Sequence, residues 1–296
     1  MKLFRKARWV WWGIWMIQLT IMVGMVVLYA WLPVDGATGS LESFIPQGFR
    51  IRWLLEERQE KLQVGDIIVR AGGYTYEEWM DGVSHDSAWQ NGSLVEYQIL
   101  RQGEMITRTV RLEPVSYTSI LMRWWPQLTV VLVYLFFGTY VFLARPNEMP
   151  ANLVMLTCIS VALTHWIDGY NFQFALLPRG WPFQFHYSVE QLSYGLIFAA
   201  AAHFSLIFPA RHPWIKRFPR LLPLIIYALN PLAVLLTWYA FPTWYQTFLE
   251  ANRIVFFISF LHGGLISYAA IRALRTTQDP IARAQIRWLN LGMVLV

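Results

Sequence analysis

Residues 9–34 read WVWWGIWMIQLTIMVGMVVLYAWLPV, a run without one charged side chain. A helix rises 1.5 Å per residue, so about twenty such residues cross the roughly 30 Å of hydrocarbon in a bilayer. This stretch predicts a transmembrane helix, and runs of the same kind recur near 124–144, 151–167, 191–208, 221–240 and 254–271. Hydrophobic residues make up 56% of the chain and charged residues only 14%, a balance that a soluble domain of 296 residues rarely tolerates. The predicted fold class is a polytopic α-helical membrane bundle, with span 1 at 9–34 and spans 2–6 within 122–271. At 288–296 a further apolar run begins, nine residues in all, and is read as the start of a truncated seventh span.

The net charge of +6 divides by segment. Residues 33–121 hold 8 of the 24 basic and 13 of the 18 acidic side chains, net −5, which leaves +11 elsewhere. That excess sits at the ends of apolar runs and not on one face, so it reports topology and argues against a nucleic-acid partner. Lys2, Arg5, Lys6 and Arg8 place the basic N-terminus, 1–8, in the cytoplasm by the positive-inside bias. Arg145, then Arg211, Lys216, Arg217 and Arg220, then the basic stretch 272–287 mark later cytoplasmic turns. Tryptophans at both ends of the runs match aromatic belts. A cleaved signal peptide would have a shorter apolar core and a small-residue cleavage site. The lone Cys158 excludes an intrachain disulfide and is read as a small packed residue of the third span.

Between the first two spans, 35–115 changes texture to short strands punctuated by Gly72-Gly73, Asn91-Gly92 and Gln102-Gly103. Alternation puts Phe49, Ile51, Trp53 and Leu55 on one face of a strand. A second strand is read at 65–70, and Val95, Tyr97 and Ile99 are read as pairing across Gly103 with a strand bearing Ile106, Arg108, Val110 and Leu112. Thr75 and Glu78 have capping-box spacing, which starts a helix that carries Trp79 and Met80 inward.

Gly48-Phe49 opening a strand, followed by LQVGDIIVRAGG at 62–73, resembles the core of a bacterial PDZ domain. The resemblance implies a small extracytoplasmic α+β domain that takes an extended peptide as an added strand, with Gly48, Phe49 and Ile51 as the peptide-binding loop and strand. Only part of that family's glycine loop is kept at 47–49. A rigid spacer or dimer contact is the competing use of such a fold.

Ionisable side chains at membrane depth require an account. Asp168, Glu190 and Gln191 are read as sitting at outer helix ends within reach of water, and His203 and His262 as hydrogen-bonding to neighbouring helices; the sharper reading makes His165, Asp168 and Glu190 a ligand site in the bundle open to the outside. The outer segment 169–188, rich in Phe, Tyr and Trp, is read as lying on the membrane surface in the manner of a belt, with the cap of an apolar ligand site as the other reading. No metalloprotease, serine-hydrolase or phosphate-loop motif occurs, so no catalytic residue, metal or cofactor is assigned.

LARPNE at 143–148, HFSLIFP at 203–209, RHPWIKRFP at 211–219 and RAQIRW at 283–288 together resemble the membrane input region of ComP-like bacterial sensor histidine kinases. That resemblance implies a plasma-membrane, two-component sensor of an extracellular, quorum-sensing type of peptide cue. It also implies a homodimer, and a kinase beyond residue 296 that serves a cytoplasmic response regulator. A PDZ-bearing membrane protease or its regulatory partner, and a transporter-like bundle with a binding module, are the alternatives.

Overall fold

The computed structural model describes residues 2–54, 62–81, 89–114, 116–170, 172–241, 243–281, 283–284 and 286–287, with side chains at 2–8, 26, 28–30, 41, 117, 119–121, 123–124, 167–170, 172, 179 and 181 left aside. The expected seventh span at 288–296 lies outside the described residues.

The long helices are α1 (Lys2–Trp31), α3 (Tyr117–Ala144), α4 (Met149–Tyr170), α5 (Trp181–Ile207), α7 (Leu221–Ala240) and α8 (Trp244–Thr276). Two short helices, α2 (Tyr76–Met80) and α6 (Pro213–Arg217), lie between them, and the described residues 280–281, 283–284 and 286–287 are helical too. Four helical stretches are long and apolar enough to cross a membrane: Trp125–Ala144, Met149–Trp166, Leu221–Ala240 and Trp244–Thr276. Their outward rows are apolar, with Leu132, Phe136 and Tyr140 on α3, Leu224, Leu232 and Leu236 on α7, and Phe256, Phe257 and Phe260 on α8 all exposed. Rows of that extent suit hydrocarbon and not water. Helix α5 is of spanning length but is diluted by His186, Glu190, Gln191 and His203, and it packs against α4, α7 and α8 together. A helix enclosed by others shows little surface to lipid, so its sequence need not be uniformly apolar.

Close packing explains Cys158. A side chain at Gly138 of α3 would bring its Cβ to 2.7 Å from the Cys158 Cβ on α4, so the two helices approach through small residues. Trp11, Trp12 and Trp15 of α1 cover a neighbouring cluster of Phe142, Met155 and Ile159.

The segment between α1 and α3 folds into strands β1 (Pro33–Val34), β2 (Ala37–Gly39), β3 (Phe44–Ile45), β4 (Gly48–Arg50), β5 (Trp53–Leu54), β6 (Ile67–Ala71), β7 (Leu94–Arg101), β8 (Glu104–Arg111) and β9 (Glu113–Pro114). A five-stranded antiparallel sheet runs β3-β4-β6-β7-β8. The β7–β8 register pairs Val95 with Val110 and Ile99 with Ile106, as the alternation predicts. Gln102 and Gly103 both take positive φ, 54° and 89°, which is the two-residue turn whose twist matches the strands it joins. The capping box is present: Thr75 N–H donates to Glu78 Oε2 at 2.8 Å, and Glu78 N–H to Thr75 Oγ1 at 3.2 Å. Trp79 and Met80 are buried, as the capped helix requires.

The strand expected to place Phe49, Ile51, Trp53 and Leu55 on one face differs. Ile51 N–H bonds Asp66 O, but Arg52 N–H bonds Thr38 O, so the chain changes sheets between them. Phe49 and Ile51 are buried, whereas Trp53 is 38% exposed; Leu55 lies outside the described residues.

The largest correction concerns 169–188. Its first part forms strand β10 (Phe172–Gln173), which pairs antiparallel with β2, giving a three-stranded sheet β10-β2-β5. The 3-10 turn Phe174–Arg179 follows, and its Phe174, Ala175, Leu176 and Leu177 are all buried. The Phe174 ring stands 5.3 Å from Phe49 and 5.9 Å from Tyr97. Phe183 and Tyr187, in the first turns of α5, are buried against Phe248. The aromatic segment is thus a strap that ties the small domain to the bundle. Phe174, Phe183 and Tyr187 turn into protein, where they find fuller burial and ring partners, whereas Phe185 stays 40% exposed.

Candidate functional site

The junction between α2 and the start of α8 is where the small domain meets a long helix. Thr243 caps α8, accepting from Gln246 N–H at 3.2 Å, and the domain supplies a second acceptor: Asp81, at the end of α2, takes the Tyr245 N–H at 3.1 Å. The first N–H groups of a helix have no partner within it and carry partial positive charge, so a carboxylate there is favoured twice. Tyr76 of α2 reaches the same place. Its hydroxyl lies 3.1 Å from Ile45 O and 3.3 Å from the Tyr245 hydroxyl, and burial, then that Tyr245 contact, hold its phenol above the usual range. Phe44 of β3 fills the angle between them, edge-on to Phe49, Tyr76 and Phe248 at 5.1, 5.5 and 5.2 Å.

One turn further along α8 the helix is fastened to α5. Tyr187 OH donates to Phe248 O at 3.0 Å, and Gln191 Nε2 to Asn252 Oδ1 at 2.7 Å. Beside this amide pair a cleft of about 410 Å³ opens, lined by Glu190, Gln191, Tyr194, Asn252, Arg253, Val255 and Phe256. Arg253 is ion-paired with Glu250 on its own helix. The cleft combines apolar walls with a few convergent polar groups, the usual build of a small-ligand site.

Of the residues expected to form a bundle site, two are described with their side chains. Glu190 lines this cleft, whereas the His165 ring stacks on Tyr134 of α3 at 6.4 Å and is not among the lining residues. Asp168 belongs to α4, and its side chain lies outside the described set. In the small domain, Gly48 opens β4 with a Cβ position 2.2 Å from Ile68 O, which leaves room for glycine alone. Phe49 and Ile51 point into the core, 0% and 1% exposed. Both edges of β4 are already paired, by β3 and by β6. A peptide added at 48–50 would therefore have to displace β3.

Asp81, Tyr245, Phe248 and Asn252 carry the junction, and none of them stood out in the sequence. Thr243, with the helix-start signal it gives, was the available clue to where α8 begins. Among the described residues no group of three or more His, Cys, Asp or Glu side chains is placed to hold a metal ion. Compared with family models, curated proteins and solved structures, the chain matches none.

Proposed function

We propose that this chain is the membrane input module of a sensor histidine kinase: an extracytoplasmic, PDZ-like domain receives an outside cue and biases α8. One observation carries the reading, namely that the domain caps and packs the first turns of the helix whose other end leads into the basic stretch 272–287. A ligand that alters β3, α2 or the α5–α8 cleft would change the contacts of Tyr245 and Phe248. It would shift α8 only in so far as it binds one arrangement better than the other. At 33 residues α8 is roughly 50 Å long, enough to carry such a bias across a bilayer.

In this reading α1 and α5 join the four apolar helices as spans. Six antiparallel crossings then put every contact with the small domain at one end and Arg145, Arg211, Lys216, Arg217, Arg220, Arg272 and Arg275 at the other. Labelling tests the topology. In a chain with Cys158 replaced, Gly73→Cys is expected to react with an impermeant maleimide in intact cells and Lys216→Cys only after permeabilisation. The reverse pattern would overturn it.

The relay has its own test. Membranes bearing the full product of the gene are expected to form phosphohistidine from ATP, with the level set by an extracellular peptide cue. Phe248→Ala is expected to leave that level fixed whatever the medium. Absence of ATP-dependent phosphohistidine would remove the kinase assignment, and an unchanged response in Phe248→Ala would remove the relay.

A further inference from the structure

Three side chains inside the bundle are polar and buried and keep polar atoms that no well-formed hydrogen bond reaches among the described residues. Asn230 of α7 is 3% exposed, and Ser259 and His262 of α8 are 5% and 3% exposed. Among the described residues, neither polar atom of Asn230, nor the Ser259 hydroxyl, nor either ring nitrogen of His262 has a hydrogen-bond partner. His262 does lie against the backbone of Ile226 on the neighbouring helix α7, and His203 makes a long contact, 3.5 Å, to the Tyr227 hydroxyl of the same helix.

Helical spacing puts Asn230 and Ser259 at one level of the bundle, one turn from His262. Helices α7 and α8 are packed neighbours separated only by residues 241–243, so they run antiparallel. His262 lies beside the Ile226 carbonyl. Asn230 is one turn along α7 from Ile226, and Ser259 is one turn back along α8 from His262, so both steps lead the same way. Helix α5 closes the third side: Asn230 Nδ2 stands 2.5 Å from where a Cβ at Gly195 would be.

The chemistry of the three groups selects their occupant. Buried amide, hydroxyl and imidazole groups left unbonded are costly, and more so in a bundle surrounded by lipid. The set is neutral, so a cation would enter low dielectric without a compensating carboxylate. A zinc-like ion would need further nitrogen or sulfur ligands. Water both donates and accepts, and buried waters make about three hydrogen bonds to groups of this kind. We propose that Asn230, Ser259 and His262 form a buried hydration site at the α5–α7–α8 junction. The proposal is independent of what signal, if any, reaches α8.

The test uses the full chain in lipid nanodiscs. If water bridges the three groups, Ser259→Ala and Asn230→Leu each lower the thermal midpoint, and the triple variant with His262→Phe loses clearly less than the sum of the three single losses. If the groups are dry and unpaired, each single apolar replacement raises the midpoint, which overturns the proposal. X-ray radiolytic labelling supplies a measure that does not depend on folding stability. Oxidation near His262 and Ile226 is expected to exceed that at lipid-facing Leu232 and to fall about tenfold in the triple variant. Labelling no greater than at Leu232 in the unmodified chain also overturns it.

Discussion

Phe174→Ala is expected to lower the stability of the junction by about 3–5 kcal/mol, the usual cost of deleting a fully buried aromatic ring. Its ring is 0% exposed and is held by Phe49 and Tyr97 from the small domain. Removal leaves a cavity between the strap and the sheet, where β10 and the following turn hold the two parts together. Thermal unfolding in detergent and limited proteolysis of the small domain are the measurements. Phe185→Ala is the control, because that ring is 40% exposed and should cost little. If Phe185→Ala proves the more damaging of the two, the rings act as surface anchors and the strap is misplaced.

The second large effect is expected at Asp66. Its carboxylate is 2% exposed and takes a bidentate pair from Arg101, with Nε to Oδ1 and Nη2 to Oδ2 both at 2.8 Å, as well as the Gln63 N–H at 2.8 Å. Removing one partner of a buried pair costs about 3–5 kcal/mol, because the other charge is left in low dielectric. Arg101 keeps 17% side-chain exposure, so Asp66→Ala is expected near the lower end, about 3 kcal/mol. Asp66→Asn retains an acceptor for Gln63 and should cost less. The exposed Arg52–Glu42 pair sets the scale for comparison: Glu42→Ala should change stability by less than about 1 kcal/mol. Denaturant unfolding followed by tryptophan emission separates the two predictions. Equal losses in Asp66→Ala and Glu42→Ala would show that the buried pair contributes nothing special. The glycine–aspartate pair at 65–66, which carried the likeness to a PDZ core, thus has a plain physical task, closing a turn and neutralising Arg101.

What was legible in the sequence is what local rules govern. Whether a run is apolar enough to cross lipid depends on its own residues, and the helices appeared at 117–144, 149–170 and 221–240 near where hydropathy placed them. The Thr75–Glu78 box, the Gln102-Gly103 turn and the Val95–Val110 face are likewise set within a few residues of themselves or across one hairpin. The bundle candidates were less accessible. His165 and Glu190 satisfied the same rule about polar groups at membrane depth, yet that rule does not say which way a helix face turns, and the two look toward different neighbours.

By itself, then, the sequence determined that apolar helices make up most of this chain and that a stranded domain interrupts them after the first, because both follow from local periodicity and hydropathy. Only the tertiary structure decided that Phe174 faces a protein core, that the chain leaves one sheet for another at Arg52, and that Asp81 caps α8 from 164 residues away. The reason is that an aromatic ring gains from burial in lipid or in protein alike, and a carboxylate gains from any helix start. Which partner each meets is settled by packing between distant segments, which local pattern does not contain.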